Sequence, residues 1–416
     1  MSMDNGQITA LIAWLAEAGL SDVREADIVA GFCERAINAG IPIGRAHVFI
    51  DTLHPVHEGH VFRFGHDPSE PLSKAYGRTT AESLSAGVAD ASASQSWRAS
   101  AFFKMLEEGD SFLQRRLTPE SETEFTIMPD MRVAGMTDYV AIINRFSSDR
   151  IIGDMDAVYS SWATTEPDGF TKAELEALRL LTPFLALAIK SVATARMLTT
   201  LMETYLGRDA GQRVLGGRIV RGVADRIDAV IWFSDLRGFT RITDTTPEEV
   251  IPLLNDYGEV IVSAIHQEGG DVLKLIGDGT LAIFVASDDD PSSACNAAIA
   301  AAVAAQRGVA LLNERRVAAG VPVTDMYLGL HIGPVFYGNI GSTERLDFTV
   351  VGPAVNETSR IAAMCRSVDQ PILLSKTFAG VSGIRNSIVS VGRYALRGVA
   401  QPQELFTLDP SAWNTG

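Results

Sequence analysis

Two apolar runs in this chain each end in a single carboxylate, and this pairing constrains the fold more than any other feature. The first run ends at Asp235 and the second at Asp278, 43 residues further on. Each run is typical of a buried strand that stops at a turn. Strand ends are rigid, so two neighbouring strands could hold both carboxylates around divalent cations, a common arrangement for phosphoryl chemistry. The turn after Asp235 could cradle a polyphosphate with its backbone N–H groups. It consists of Leu236, Arg237, Gly238 and Phe239.

Five motifs follow one another along the C-terminal half. They are Phe233-Ser-Asp235-Leu-Arg-Gly-Phe-Thr240, Lys274-Leu-Ile-Gly-Asp278, Gly329-Leu-His331-Ile-Gly-Pro-Val335, Thr349-Val-Val-Gly-Pro-Ala-Val-Asn356 and Asn356-Glu-Thr-Ser-Arg360. Together they resemble the catalytic domain of the class III nucleotidyl cyclases, over about residues 223–408. One short motif would be a weak indication, but chance does not account for five motifs in the right order.

The resemblance implies a role for each matching residue. Asp235 and Asp278 match the two metal-binding aspartates, which hold two Mg²⁺ or Mn²⁺ ions per site. Lys274 and Thr349 match the residues that read the purine. Asn356 matches the residue that orients the ribose, and Arg360 matches the arginine that stabilises the transition state. Arg397 is a loose match to a basic residue that contacts the triphosphate. Pro334 departs from the family, because some members carry an arginine there. This departure leaves open how the triphosphate is neutralised.

The resemblance also implies a fold and an assembly. The expected C-terminal domain is of the mixed α/β (α+β) class, with a largely antiparallel sheet around a βαββαβ, ferredoxin-like core. In the family, one subunit supplies the aspartates and the other supplies the purine-reading pair. A homodimer with two composite sites is therefore implied, and the expected reaction converts ATP to 3′,5′-cyclic AMP and pyrophosphate.

The residue types themselves favour this chemistry and a particular purine. Asn356 and Arg360 are four residues apart, so they share one face if the segment is helical. Lys274 is a donor and the Thr349 hydroxyl can accept, which fits the N1 acceptor and 6-amino donor of adenine. Guanine presents the reverse pattern. Two alternatives remain, a guanylate cyclase and a catalytically silent domain that binds nucleotide or dimerises.

The amino-acid composition limits the binding partners that are expected for the protein and the cellular compartment in which it is expected. The formal net charge of −16 argues against nucleic acid or an anionic membrane surface as a partner. No uninterrupted apolar run reaches about 18 residues, so no membrane span is expected. The N-terminus lacks the basic start of a signal peptide. The three cysteines are far apart and fit a reducing compartment, which favours the cytoplasm.

The N-terminal half has the pattern of a second domain. Apolar spacing predicts a helix over residues 8–38, and strands are expected from Arg45, Val61, Asp138 and Ala157. Thr171 and Glu174 form a capping box that starts a long helix. Residues 135–190 are similar to the end of a GAF-type sensory domain, and such domains bind a small ligand or dimerise. The expected domains are a GAF-like regulatory domain over 1–172, a signalling helix and linker over 173–222, and the catalytic domain over 223–416.

The long helix has two interpretations. Apolar residues recur along it at steps of mostly three and four, at Leu178, Leu181, Leu185, Ala188, Val192, Ala195 and Met202. One amphipathic helix packed on its own domain explains them, and so does a parallel coiled-coil seam. The required dimer favours the seam. Pro183 is a predicted kink, and five glycines between residues 207 and 222 predict a bendable linker.

Histidines concentrate in one short stretch. Five of the seven lie at His47, His54, His57, His60 and His66. Pro55 and Gly59 exclude a regular helix through them, and hence a helical metal triad. One hypothesis is a haem or metal ligand for a sensor, drawn from the last four of these histidines. The alternative is a polar hairpin with one or two packed histidines. His331, in an apolar strand pattern, is expected to be a packed core residue.

Overall fold

The computed structural model describes residues 5–66, 71–77, 91–119, 121–146, 152–153, 155–383, 387–397, 399 and 401–409. The chain divides into two compact units, residues 1–201 and 202–416. The domain and linker boundaries expected from the sequence stay a prediction.

The N-terminal unit contains a six-stranded sheet with helices on both faces. Its elements are α1 (Asn5–Leu20), α2 (Glu25–Asn38), β1 (Arg45–Asp51), β2 (His57–Phe64), β3 (Ser73–Gly77), α3 (Ala91–Arg98), α4 (Ala101–Glu108), β4 (Phe112–Arg116), α5 (Met128–Val133), β5 (Asp138–Arg145), β6 (Ala157–Thr164) and α6 (Lys172–Leu206). The strand order is β3-β2-β1-β6-β5-β4, and every neighbouring pair is antiparallel. The predicted strands are therefore present, while the GAF resemblance stays a prediction.

Strand alternation gives the two faces of this sheet separate cores. On one face Val48 and Trp162 pack with α1, α2 and α6. On the other face Tyr139 and Tyr159 pack with α4 and α5. The predicted single helix over 8–38 is wrong in one respect, because a turn at residues 21–24 divides it into α1 and α2.

The predicted capping box at the start of α6 is confirmed. The Thr171 backbone N–H donates to Glu174 Oε2 at 2.7 Å, and the Glu174 N–H donates to Thr171 Oγ1 at 3.3 Å. These two bonds satisfy amides that the first helical turn leaves without partners.

The predicted seam of α6 is wrong for its first half. Leu178, Leu181, Leu185 and Ala188 are at most 3% exposed and belong to the core of their own unit. A different apolar stripe is exposed, at Leu180, Phe184, Leu187 and Leu198, which are 37–64% exposed. The helix has two apolar stripes, and a spacing rule cannot tell which one faces the neighbouring sheet.

Two helices pass a length-and-composition test for a membrane span. They are Lys172–Leu206 and Pro291–Ala318, with 50% and 44% of their most apolar windows buried. This is a weak indication, because core helices of globular domains pass the same test. The expectation of no membrane span stays a prediction.

The C-terminal unit is built on one curved, mixed sheet. Its further elements are α7 (Arg208–Leu215), β7 (Ala224–Leu236), α8 (Phe239–Thr245), α9 (Val250–Gln267), β8 (Asp271–Ile276), β9 (Gly279–Val285), α10 (Pro291–Ala318), β10 (Met326–Gly341), β11 (Leu346–Val351), α11 (Pro353–Val368), β12 (Ile372–Ser375), α12 (Lys376–Val381), β13 (Ile388–Tyr394) and β14 (Gln403–Leu408). The strand order is β13-β14-β12-β10-β7-β9-β8, and β11 pairs with β10.

The centre of this unit is the predicted βαββαβ core. Strands β7, β8, β9 and β10 supply its four strands, in the spatial order β10-β7-β9-β8 with antiparallel pairing. Helices α9 and α10 cover one face, where Tyr257, Ala298 and Ala302 pack against Trp232. Only the β10–β12 pair is parallel among the pairs of described strands. The expected largely antiparallel α/β fold is therefore confirmed.

Candidate active site

The two aspartates lie at neighbouring strand ends, as the sequence predicts. Asp235 is the next-to-last residue of β7, and Asp278 lies in the two-residue turn between β8 and β9. Gly277 takes a positive φ of 63° in that turn, a conformation that favours glycine. One Asp278 carboxylate oxygen, Oδ2, accepts a hydrogen bond from the Leu236 backbone N–H at 3.2 Å. This bond joins the two turns and brings the two carboxylates together.

The electrostatics of the pair suit a divalent cation. Burial, followed by the negative charge of Asp278, raises the pKa of Asp235 to about 6. Asp235 Oδ1 is buried and has no hydrogen-bond partner among the described residues. A buried carboxylate oxygen without a donor is costly unless a cation or proton satisfies it.

Two carboxylates are also enough protein ligands for a divalent cation at this site. No group of three or more His, Cys, Asp or Glu side chains in the described part of the chain is arranged to hold a metal ion. Mg²⁺ needs no such cage, because it commonly binds one or two carboxylates, several waters and the phosphates of a substrate. Asp235 and Asp278 are therefore sufficient protein ligands for a cation that arrives with a nucleotide.

The turn after Asp235 has a defined backbone. Gly238 has a positive φ of 69°, which lets the chain reverse before α8. The Arg237 N–H donates to the Asp325 carbonyl at 2.8 Å, and the Arg237 carbonyl accepts from the Thr324 hydroxyl at 2.7 Å. The Arg237 guanidinium is exposed, lies 3.8 Å from an Asp325 carboxylate oxygen and is 5.8 Å from the centroid of the Tyr327 ring. Phe239 anchors the turn by packing on the core beneath it.

Helix α11 presents Asn356 and Arg360 on one face, which confirms the helical spacing argument. Its opposite face packs on β10 very closely at Gly329. A Cβ added to Gly329 would lie 2.6 Å from the Ala362 backbone nitrogen and 2.8 Å from the Thr358 carbonyl oxygen. Glycine at this position therefore sets how near the helix, and with it Asn356 and Arg360, lies to the sheet.

Lys274 contacts a residue of the Thr349 strand that the sequence reasoning missed. Lys274 on β8 forms an ion pair and a hydrogen bond with Asp347 on β11. Asp347 and Thr349 are two residues apart, so they share one face of β11, while Phe348 and Val350 are buried on the other. The strand alternation around Thr349 could have indicated Asp347 as a second polar residue on the same side.

The register of β10 places Thr349 and Asp235 at different positions along the strand. Tyr327 pairs with Asp235, whereas Gly338 pairs with Thr349. Ten residues of β10 lie between these two positions. At about 3.3 Å per residue, the eleven steps from Tyr327 to Gly338 are roughly 35 Å measured along the strand. Lys274 lies four residues before Asp278 and forms its ion pair with Asp347 on β11.

Three other residues that the sequence singled out have no described contact with the aspartate pair. They are Arg397, His331 and Pro334. Arg397 is exposed in the connection between β13 and β14, and no described contact joins it to either aspartate. His331 is buried, and its Nδ1 lies 2.8 Å from Ser375 Oγ, as expected for a packed core residue. Pro334 is exposed on β10.

The rings of the histidine-rich stretch form a row of three, in which His57 also meets His60 edge to face at 6.4 Å between ring centroids, and a separate pair. His54 and His57 stack with ring centroids 4.7 Å apart, and His47 and His66 meet edge to face at 4.6 Å. Burial lowers the pKa of His47 to about 3 and also lowers the pKa of His60. These pairs agree with a hairpin that contains packed histidines, while haem binding stays a prediction.

A family comparison identifies the domain that contains this site. Residues 223–409 match the family described as adenylate and guanylate cyclase catalytic domain. Residues 223–409 form a class III nucleotidyl cyclase domain. The matched residues include both aspartates, the Lys274–Asp347 pair and helix α11, so the whole candidate site lies inside the cyclase domain.

Curated relatives match the same half of the chain. An adenylate cyclase of Anabaena cylindrica is 34% identical over 161 residues, which is 38% of this chain and 31% of the relative. An uncharacterized protein of Mycobacterium tuberculosis is 31% identical over 210 residues, 49% of this chain and 36% of the relative. The match therefore spans about a third of the length of these relatives.

Solved structures similar to the chain include cyclases of both kinds. A bacterial light-regulated adenylyl cyclase is 24% identical, with a TM-score of 0.47 over 55% of this chain and 64% of its own. The guanylyl cyclase Cya2 is 30% identical, with a TM-score of 0.39 over 44% of this chain and 93% of its own.

Proposed function

We propose that the protein is an adenylate cyclase that converts ATP to 3′,5′-cyclic AMP and pyrophosphate at a homodimer interface. The observation that carries the proposal is the partly buried pair Asp235 and Asp278, joined through the Leu236 N–H inside the residues that match a class III cyclase domain. In this reaction the ribose 3′-oxygen bonds to the α-phosphorus, the bond from that phosphorus to the leaving oxygen breaks, and the hydroxyl proton passes to solvent.

Asp235 and Asp278 would hold two Mg²⁺ or Mn²⁺ ions. The ions would lower the pKa of the 3′-hydroxyl and neutralise the leaving phosphates. Because the reaction is intramolecular, the protein mainly folds the substrate and stabilises charge. Asn356 would hold the ribose while Arg360, one helical turn away, directs its permanently charged fork to the α-phosphate. The backbone of residues 236–239 would contact the phosphates, and Arg397 is proposed to add a further positive charge.

The purine preference is proposed from Lys274, Thr349 and Asp347. Lys274 would donate to adenine N1, and the Thr349 hydroxyl would accept from the 6-amino group. Asp347 would orient the Lys274 ammonium. A site built this way leaves its polar groups unpaired against guanine, and such mismatches discriminate strongly.

The homodimer is proposed because one chain separates the parts of its site. Thr349 lies far along β10 from Asp235, so we propose that one nucleotide reaches both Thr349 and Asp235 across two subunits. Exposed apolar side chains surround the purine-reading residues and would suit an interface. They are Leu275, Ile276, Phe336 and Val351, which are 63%, 47%, 52% and 42% exposed. The exposed stripe of α6 is proposed as a second contact between subunits.

The N-terminal unit is proposed to regulate this activity in response to a small effector, in a signalling protein of the cytoplasm. The three cysteines are free and buried, which agrees with a reducing compartment. Haem remains an alternative occupant of that unit.

Product formation by the purified full chain tests the proposal. ATP and GTP would be supplied separately, each with Mg²⁺ or Mn²⁺, beside an Asp235→Ala control. Cyclic AMP from the wild type alone is the expected result. A preference for GTP would favour a guanylate cyclase, and no product from either nucleotide with either metal would favour the silent domain.

Mixing two inactive variants tests the shared site. Asp235→Ala and Lys274→Ala each damage a different half of a composite site, so hybrid dimers would contain one intact site. Partial recovery of activity on mixing is expected. Absence of recovery, with subunit exchange shown by a labelled chain, would reject the composite arrangement.

Asp347→Asn tests the role of the newly found carboxylate. Removing the charge should raise the KM for ATP about tenfold and narrow the preference over GTP, because a charge-assisted hydrogen bond to Lys274 is weakened. Glu344→Gln, an exposed change on the same hairpin, is the matched control and should leave both values unchanged. An unaltered ratio of ATP to GTP use by Asp347→Asn would contradict the assigned role.

A further inference from the structure

The N-terminal unit contains a cavity that the cyclase chemistry does not use. Its volume is about 560 Å³, within the range of small-molecule sites. The floor is the face of the sheet opposite α1, α2 and α6, and the walls come from α3, α4 and the segment around Thr126. All of its lining residues belong to residues 1–201, so the cavity lies within one unit.

Aromatic rings form a continuous wall of this cavity. Trp97 meets Tyr159 edge to face at 5.5 Å, Tyr159 meets Phe102 at 5.6 Å, and Phe102 meets Phe49 at 5.6 Å. Tyr76 continues the row at 6.3 Å from Phe49. Edge-to-face contacts hold rings in fixed orientations, and a flat aromatic ligand could add to them. The wall therefore favours a ligand with a planar, apolar surface.

Two basic side chains lie at one end of the cavity floor. Lys74 on β3 lies opposite Val61 on β2, and Arg63 is two residues from Val61 on the same strand. Arg63 and Lys74 are therefore diagonal neighbours on one face of the sheet, close enough to hold one anionic group together. Both residues line the cavity.

Carboxylates and a packed tyrosine occupy the other end. Asp51 pairs across the sheet with Gly59, which pairs with Tyr76, and the Tyr76 hydroxyl donates to Asp51 Oδ1. Glu58 lines the cavity beside them. Gly59 makes this packing feasible, because an added Cβ would lie 2.2 Å from the Tyr76 hydroxyl oxygen. The site thus has a cationic end and an end that accepts hydrogen bonds.

We propose that this cavity is a binding site for a small planar aromatic anion. Its acidic group lies at Arg63 and Lys74, its ring lies against Phe49, Phe102 and Tyr159, and a donor group on the ring faces Asp51 and Glu58. The site does not depend on the cyclase activity, so its test does not involve catalysis.

Two dyes that differ in one charge test the proposal on the purified full chain. 8-Anilinonaphthalene-1-sulfonate has the ring, the donor and the anion, whereas N-phenyl-1-naphthylamine lacks only the sulfonate. Fluorescence titration should show one site per chain for each dye. Arg63→Gln and Lys74→Gln should each weaken the sulfonate dye about tenfold and leave the neutral dye within about twofold.

Two further variants test whether the dyes bind in the cavity and whether the loss of any positive charge weakens binding. Thr126→Trp places a large ring at the exposed rim of the cavity and should weaken both dyes, with little effect on folding. Lys172→Gln removes an exposed positive charge at the start of α6 and should change neither dye. Thermal unfolding of each variant verifies its fold.

The results decide the proposal either way. Sulfonate binding that is equally strong in Arg63→Gln and Lys74→Gln would overturn the anion site. If Thr126→Trp binds both dyes as tightly as the wild type, or if the titration shows several sites per chain, the dyes bind to exposed apolar surface and not in the cavity.

Discussion

Replacing Asp235 with asparagine is expected to stabilise the metal-free cyclase domain at neutral pH, although it should abolish catalysis. Burial and the neighbouring Asp278 raise the pKa of Asp235 from 3.8 to about 6. The folded protein therefore holds this proton more tightly than the unfolded chain does. The resulting stability is fully present below about pH 3.8 and is lost as the pH rises through about 6. Asparagine carries no charge at any of these pH values, so it avoids this loss.

The size of the gain follows from the same pKa. One pKa unit corresponds to about 1.4 kcal/mol, so the rise sets an upper limit near 3 kcal/mol at pH 7.5. Asp235 is only partly buried, and solvent screening reduces the expected gain to roughly 1–2 kcal/mol. For a unit of this size, the melting temperature should rise by about 2–8 °C.

Scanning calorimetry in EDTA at pH 7.5 and at pH 4.5 measures the effect on the full chain. The gain should be large at pH 7.5 and smaller at pH 4.5. Asp244→Asn, an exposed change on α8, is the matched control and should alter stability by less than about 0.5 kcal/mol. Adding Mn²⁺ should stabilise the wild type and have less effect on Asp235→Asn. A variant no more stable than the wild type at pH 7.5 in EDTA would refute the electrostatic reasoning.

Three further substitutions test the packing. Gly329→Ala should lower stability by about 1–3 kcal/mol and reduce activity, because α11 must move away from β10. Gly258→Ala, a helical position with nothing within 4 Å of the added Cβ, is its control and should be neutral or slightly stabilising in denaturant titrations. Thr171→Ala should cost about 1 kcal/mol in unfolding of the N-terminal unit, and an unchanged midpoint would reject the capping box. Arg316→Gln should cost about 1–3 kcal/mol by chemical denaturation, because Arg316 is 5% exposed and the variant loses the hydrogen bond from its Nε to the Pro322 carbonyl and the ion pair with Asp256.

Much of the site could be read from the chain because its parts are local in sequence. Asp235 and Asp278 each end an apolar run, so the period of the strands and the turn residues place them at strand ends. Asn356 and Arg360 are one helical turn apart, so the spacing alone puts them on one face. The capping box of α6 is equally local, since both of its hydrogen bonds join residues three positions apart.

Tertiary structure decided the features that depend on distant residues. Asp347 contacts Lys274 across 73 positions of sequence, and no spacing rule identifies such a partner. The stripe of α6 that faces its own sheet depends on strands far upstream, so periodicity named an apolar face but not the buried one. The aromatic cavity draws on β1, β3, α4 and β6, whose order in space follows from sheet pairing. Local pattern thus determines which elements form and what chemistry they carry, while the pairing of distant strands determines which side chains meet, because that pairing depends on the packing of the whole unit.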